Sequence, residues 1–156
     1  MIWIKVALCV LVLAFGVGIG YLAGSRSRDR RAFFSQLADL NERYLSELEY
    51  ARKPLGEFLS AFPARGDFKR TLEEFGSSRA PKFKFSYLTA EEKKECAGYF
   101  SMLGRGDALS QKGYFGARRE QLAAWKAASE KEAKAKGELY MKLGLLAGLA
   151  FVILII

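Results

Sequence analysis

The chain has 156 residues, with 25 lysines and arginines against 17 aspartates and glutamates, two cysteines and no histidine, which removes the commonest general base and metal ligand. Charge is segregated: residues 6–23 and 143–156 hold no charged side chain, while all 17 acidic and 23 of the basic residues lie in 25–138. That middle stretch has a net charge of +6, falling to +2 without Arg26, Arg28, Arg30 and Arg31, and with no recognition motif beside it the charge argues against a nucleic-acid surface.

Residues 1–24 are predicted to be a transmembrane helix. Crossing the hydrocarbon takes about 20 mostly apolar residues, and 18 are available, or 22 if Lys5 snorkels to the interface. Ala23-Gly24-Ser25 would also serve as a signal-peptide cleavage site. The arginines that follow, Arg26, Arg28, Arg30 and Arg31, favour an uncleaved anchor and hold their side in the cytoplasm. Gly16, Gly20 and Gly24 recur every fourth residue, a face that lets helices approach closely in lipid.

Residues 25–138 are expected to form one cytoplasmic helical domain with a stalk. Over 27–52, Phe33, Leu37, Leu40, Tyr44, Leu48 and Ala51 make one apolar stripe, with Arg52 off it, and no breaker separates this helix from the first span. Pro54 ends it and starts a short helix over 54–62 with Leu55, Phe58, Leu59 and Phe62 inward. Asp67 is predicted to cap a third helix through Phe75, with Gly76 at its end. Residues 76–88 alternate Phe83, Phe85 and Tyr87 with polar residues, which predicts an extended linker whose aromatics plug the core, with an exposed docking strip as the alternative.

Thr89 and Glu92 fit a capping box for a helix running to Leu103, stopped by Gly104-Arg105-Gly106. Asp107 is placed to cap the last helix, whose early apolar face is Leu109, Tyr114, Phe115, Leu122 and Trp125. An alanine- and charge-rich stalk follows, with Lys131, Lys134 and Lys136 flanking a second span on its cytoplasmic side. Residues 139–156 are expected to be that second transmembrane helix, roughly 27 Å long at the α-helical rise, with its terminal carboxylate at the far surface and Gly144 and Gly148 repeating the small-residue face. A buried core helix is the alternative, against which 151–156 lacks any polar face.

The residues point away from chemistry. Glu73–Glu74 and Glu91–Glu92 are neighbours on helices and do not face each other. Gly104 to Asp107 lacks the preceding strand and following Lys-Ser/Thr of a phosphate loop. Cys9 and Cys96 would sit in different environments, which argues against a disulfide. The inventory therefore predicts no enzyme, no cofactor, no metal and no small-molecule substrate.

Three segments carry a family resemblance. Glu47-Leu48-Glu49-Tyr50, then Pro54-Leu55 with Glu57 and Leu59, resembles an E-[IL]-x-Y-x3-P-L-x-E-x-L pattern. Leu103-Gly104-Arg105-Gly106-Asp107 with Gln111 resembles L-G-x-[SG]-D-x3-Q. Tyr140 to Gly148, with Leu143 and Gly144, resembles Y-x-x-L-G-x-L-x-G leading into a terminal span. Together with the N-terminal anchor they resemble the stage III sporulation protein AB family. The resemblance implies an all-α cytoplasmic bundle of about five helices between two transmembrane helices, similar to platform proteins of type II secretion and type IV pilus machines. It further implies a non-enzymatic scaffold in the sporulation channel joining mother cell and forespore, in the engulfing forespore membrane on the mother-cell side. The implied partners are the membrane, other channel subunits and the cytoplasmic secretion-type ATPase, stage III sporulation protein AA; a homo-oligomer is left open. Residues 63–90 depart from the family pattern, being short and aromatic-rich. The alternative function is a generic tether or oligomerisation module acting through its glycine-faced spans.

Overall fold

The computed structural model describes residues 2–51 and 53–155. The expectations for the side chains of Lys5 and Ala51, for Arg52 and for the carboxylate at Ile156 lie outside the described residues. The elements are α1 (Ile2–Ala23), α2 (Ser25–Ser46), a π-helical turn (Glu47–Ala51), α3 (Leu55–Ala61), α4 (Gly66–Ser78), α5 (Ala90–Met102) and α6 (Ala108–Ile155). Among the described residues there is no strand, so the protein is all-α. It divides into two compact units, residues 1–28 with 130–156, and residues 29–129.

The first unit pairs α1 with the end of α6. Its chain is apolar and exposed along α1, where Trp3, Leu11, Phe15 and Leu22 face outward. The helical segment that begins at Val6 contains a stretch long and apolar enough to cross a membrane, and only 6% of it is buried. Among the described residues no second stretch of this kind is found, so the second span expected over 139–156 is not established by the fold. At Gly24 the α1 helix gives way to a single turn residue, yet Gly24 N–H still donates to the Gly20 carbonyl and Arg28 N–H to the Gly24 carbonyl, each at 3.3 Å. Arg28 lies 4.0 Å from the Tyr21 ring centroid and donates to its carbonyl at 2.7 Å.

The second unit is built around an aromatic core. The stripe on α2 delivers Phe33, Phe34, Leu37, Leu40 and Tyr44 to it, all buried, and α5 adds Cys96, Tyr99 and Phe100. α6 adds Phe115 and Leu122. Phe115 lies edge-on to both Tyr44 and Tyr99, at 5.0 Å between centroids in each case. One polar residue shares the stripe. Asn41 is 1% exposed; its amide donates to the Phe115 carbonyl at 3.2 Å and its oxygen accepts from the Tyr99 hydroxyl at 3.2 Å. One side chain thus ties α2, α5 and α6. Arg30 of α2 pairs with Glu92 of α5, which also closes the capping box with Thr89, so this arginine fastens two helices.

The linker before α5 packs its aromatics inward. Phe33 has Phe83, Phe85 and Tyr87 around it at 5.8–6.3 Å. All three linker rings are partly buried against the core, so the core role expected of 76–88 is the one observed.

Four local expectations are corrected. The helix expected over 27–52 leaves α geometry at Glu47, because apolar periodicity does not distinguish an α from a π turn over five residues. Asp67 is not the cap of α4. The cap position is Arg65, and Asp67 sits within the first turn, where its carboxylate accepts the Tyr87 hydroxyl at 2.9 Å. Gly76 lies inside α4, which ends when Arg79 turns left-handed at φ 57° and donates to the Phe75 carbonyl. Leu109 is not on the buried face of α6; it is 79% exposed.

Candidate interaction surface

Two of the three family-like segments, far apart in sequence, meet in the second unit. The first is the π turn with Pro54 and Leu55. A proline cannot donate the backbone hydrogen bond that would extend the helix, and Pro54, at φ −54° and ψ 137°, instead opens α3. The second is the loop from Leu103 into α6. Leu103 is buried, and Gly104 and Gly106 take φ values of +75° and +83°, a region side chains avoid. Leu55 also packs closely there: a Cβ on Gly104 would lie 2.6 Å from one of its methyls, which would have to shift. Leu55 and Gly104 are therefore the contact at which the two segments lock together.

Asp107 then starts α6. The Ser110 hydroxyl donates to its carboxylate, a bond that holds the carboxyl below its usual range, and Gln111 N–H donates to its carbonyl at 3.1 Å. Gln111 itself is buried. Its amide donates to the Gly106 carbonyl at 3.3 Å and its oxygen accepts from the Tyr44 hydroxyl. Burial pushes the Tyr44 phenol up, partly offset by a hydrogen bond from the Gly104 backbone. Outside this lock, Lys112 bridges to Glu49 at 2.6 Å across the two segments.

Two large apolar side chains stand out on this surface. Tyr50 is 80% exposed and Leu109 79%, one on each segment. Where the two segments meet, a cavity of about 250 Å³ is lined by Tyr44, Glu47, Leu48, Lys53, Leu55 and Phe58 with Gly104 and Gln111. Glu47 turns inward, and its Oε2 is buried without a hydrogen-bond partner.

The remaining sequence-predicted residues lie elsewhere. Gly16 and Gly20 face the end of α6: a Cβ on Gly16 would be 2.6 Å from the Gly144 carbonyl oxygen, and one on Gly20 2.5 Å from that of Tyr140. Gly148 lies against Leu13, and Gly24 against the Arg28 side chain. Leu143 is exposed. Arg26, Arg31, Lys131 and Lys134 are exposed, and Lys136 pairs with Glu132 four residues back. Sequence reasoning missed Asn41, Gln111 as a partner of Tyr44, and the burial of Glu47. Asn41 carried a usable signal, a lone amide four residues after Leu37 and three before Tyr44 on an apolar stripe. Among the described residues no group of three or more His, Cys, Asp or Glu side chains could hold a metal ion.

An all-α fold and an apolar, exposed helical stretch long enough to cross a membrane fit a membrane-associated protein. The family model of stage III sporulation protein AB matches residues 69–156, more than half of the chain, and the chain belongs to that family. Its membership makes a role in sporulation the coarse function of the protein. No curated protein and no solved structure matches the chain.

Proposed function

We propose that the protein is a non-enzymatic membrane scaffold of the channel between mother cell and forespore, and that its second unit docks a cytoplasmic secretion-type ATPase, the stage III sporulation protein AA of the family. In this reading residues 1–24 and 139–156 both cross the engulfing forespore membrane, and 25–138 face the mother-cell cytoplasm. The basic residues Arg26, Arg28, Arg30, Arg31, Lys131, Lys134 and Lys136 set that orientation. The observation that carries the docking reading is the pair Tyr50 and Leu109, exposed apolar side chains on the two segments that meet at Leu55 and Gly104. Tyrosine is among the residues enriched at interaction hot spots, and a neighbouring leucine adds apolar contact area.

The test is binding of the full chain in nanodiscs to the purified ATPase. Tyr50→Ala and Leu109→Ala are each expected to weaken it by roughly tenfold or more, the size of a hot-spot loss. Unchanged binding in both variants would refute the docking surface. Topology reporters at the two termini test the orientation, and a middle domain outside the cytoplasm would exclude the ATPase. A second reading, a tether acting through its spans, draws on the approach of Gly16 to Gly144. It expects Gly16→Leu to abolish assembly while leaving ATPase binding intact.

A further inference from the structure

We infer that the cavity between the 47–58 segment and the Gly104–Gln111 segment is a receptor for one basic side chain of the docking partner, with Glu47 as its counter-ion. The inference rests on the docking reading above. A carboxylate oxygen taken out of water is costly unless it is paired, and Glu47 Oε2 is buried with no hydrogen bond. Lys53 lines the same cavity, but its exposed side chain leaves that oxygen unsatisfied. Arg43 lines an adjoining hollow together with Glu47 and Lys53, and Lys112 is engaged by Glu49, yet no group hydrogen-bonds Glu47 Oε2. The free protein thus holds an unsatisfied negative group in a preformed hollow.

The walls suit the rest of such a side chain. Leu48, Leu55 and Phe58 offer apolar surface to the methylenes of a lysine or arginine stem. The rings of Tyr44 and Phe58, 5.5 Å apart, offer aromatic surface to its head. The π turn that carries Glu47 closes the C-terminal end of α2, where the helix dipole favours positive charge. π turns are often retained at functional sites because they are less favourable than the α-helix they interrupt, and this one sets Glu47 inward while Tyr50, three residues later, faces out.

The pocket and a purely structural carboxylate predict opposite behaviour for Glu47→Gln. This variant keeps the shape and removes the charge. As a receptor for a partner's cation, Glu47→Gln should leave the thermal midpoint of the free chain unchanged or higher, yet weaken binding of the purified ATPase by roughly tenfold or more, as expected when a buried charge pair is lost. Lys53→Met should bind as well as the wild type or better, since a competing cation is gone. A Glu47→Gln chain that binds within twofold of wild type, while Tyr50→Ala and Leu109→Ala lose binding, overturns the pocket and leaves the docking surface standing. A Glu47→Gln chain that melts lower together with Lys53→Met overturns it too, because Lys53 is then the resident partner. A wild-type chain that fails to bind the ATPase removes the docking reading itself, and the pocket with it.

Discussion

Asn41 is the residue whose replacement discriminates most sharply between packing and polar connection in the second unit. Asn41→Leu keeps the volume and removes both hydrogen bonds. The Phe115 carbonyl lies within α6 and keeps its own helical acceptor bond, so that loss costs only the net worth of one hydrogen bond, about 1 kcal/mol. The Tyr99 hydroxyl is left buried with no acceptor in Asn41, a cost of about 1–3 kcal/mol. The single variant should therefore lose about 2–4 kcal/mol. Tyr99→Phe alone strands the Asn41 oxygen and should cost about 1–2 kcal/mol. The double variant strands neither group, so only the Phe115 bond is lost and the cost falls back to about 1 kcal/mol. Denaturant unfolding of the full chain in detergent, followed by Trp125 fluorescence in a Trp3→Phe background, reads this directly, since Trp125 lies 5.2 Å from the Phe34 ring. A double variant as unstable as the sum of the singles would show that the amide and the phenol are not coupled.

Other outcomes follow from the same geometry. Gly16→Ala places a methyl 2.6 Å from the Gly144 carbonyl oxygen and should cost about 1–3 kcal/mol, whereas Gly18→Ala meets nothing within 4 Å and should be neutral; equal melting of the two in detergent would contradict the close approach. Cys96 is buried and its thiol is pushed up to about 12 by burial, so peptide mass spectrometry should find it unalkylated at about pH 8 in the folded chain and modified in denaturant. The Glu42 carboxyl is lowered by its hydrogen bond from Arg119, and that of Asp107 by Ser110. Both contributions are present above the unfolded carboxylate range and are lost as pH falls through the lower folded values. The melting midpoint should thus drop between about pH 5 and pH 3, with a shallower slope in a Glu42→Gln, Asp107→Asn variant; an unchanged slope would refute the assignment.

Much of the helical frame was legible because it is written in local chemistry. Thr89 with Glu92, Pro54, and the glycines at 104 and 106 each act within one turn, so a sequence carries them openly. The α2 stripe was equally open, since Phe33 to Tyr44 recur at helical spacing. What stayed hidden depended on distant partners. Asp67 reads as a cap until Tyr87, twenty residues on, is seen to use its carboxylate. Leu109 reads as core by type, and its exposure depends on where the Gly104–Asp107 loop aims the first turn of α6. The family-like residues gave no hint that the 47–55 and 103–111 segments would meet, because Tyr44 to Gln111 spans 67 positions.

The π turn makes this corner sensitive to chain length. Five residues there are wound where an α-helix would fit about one fewer, so every position past the turn is rotated by about 100° from the direction an unbroken α2 would give it. Deleting a single residue from 47–51 would let the backbone relax into an ordinary helix at little local cost. It would also swing Tyr50 off the surface and draw Leu55 away from Gly104. A one-residue deletion should thus be tolerated by the fold and lethal to the surface, so the segment is better understood as a ruler than as a set of side chains.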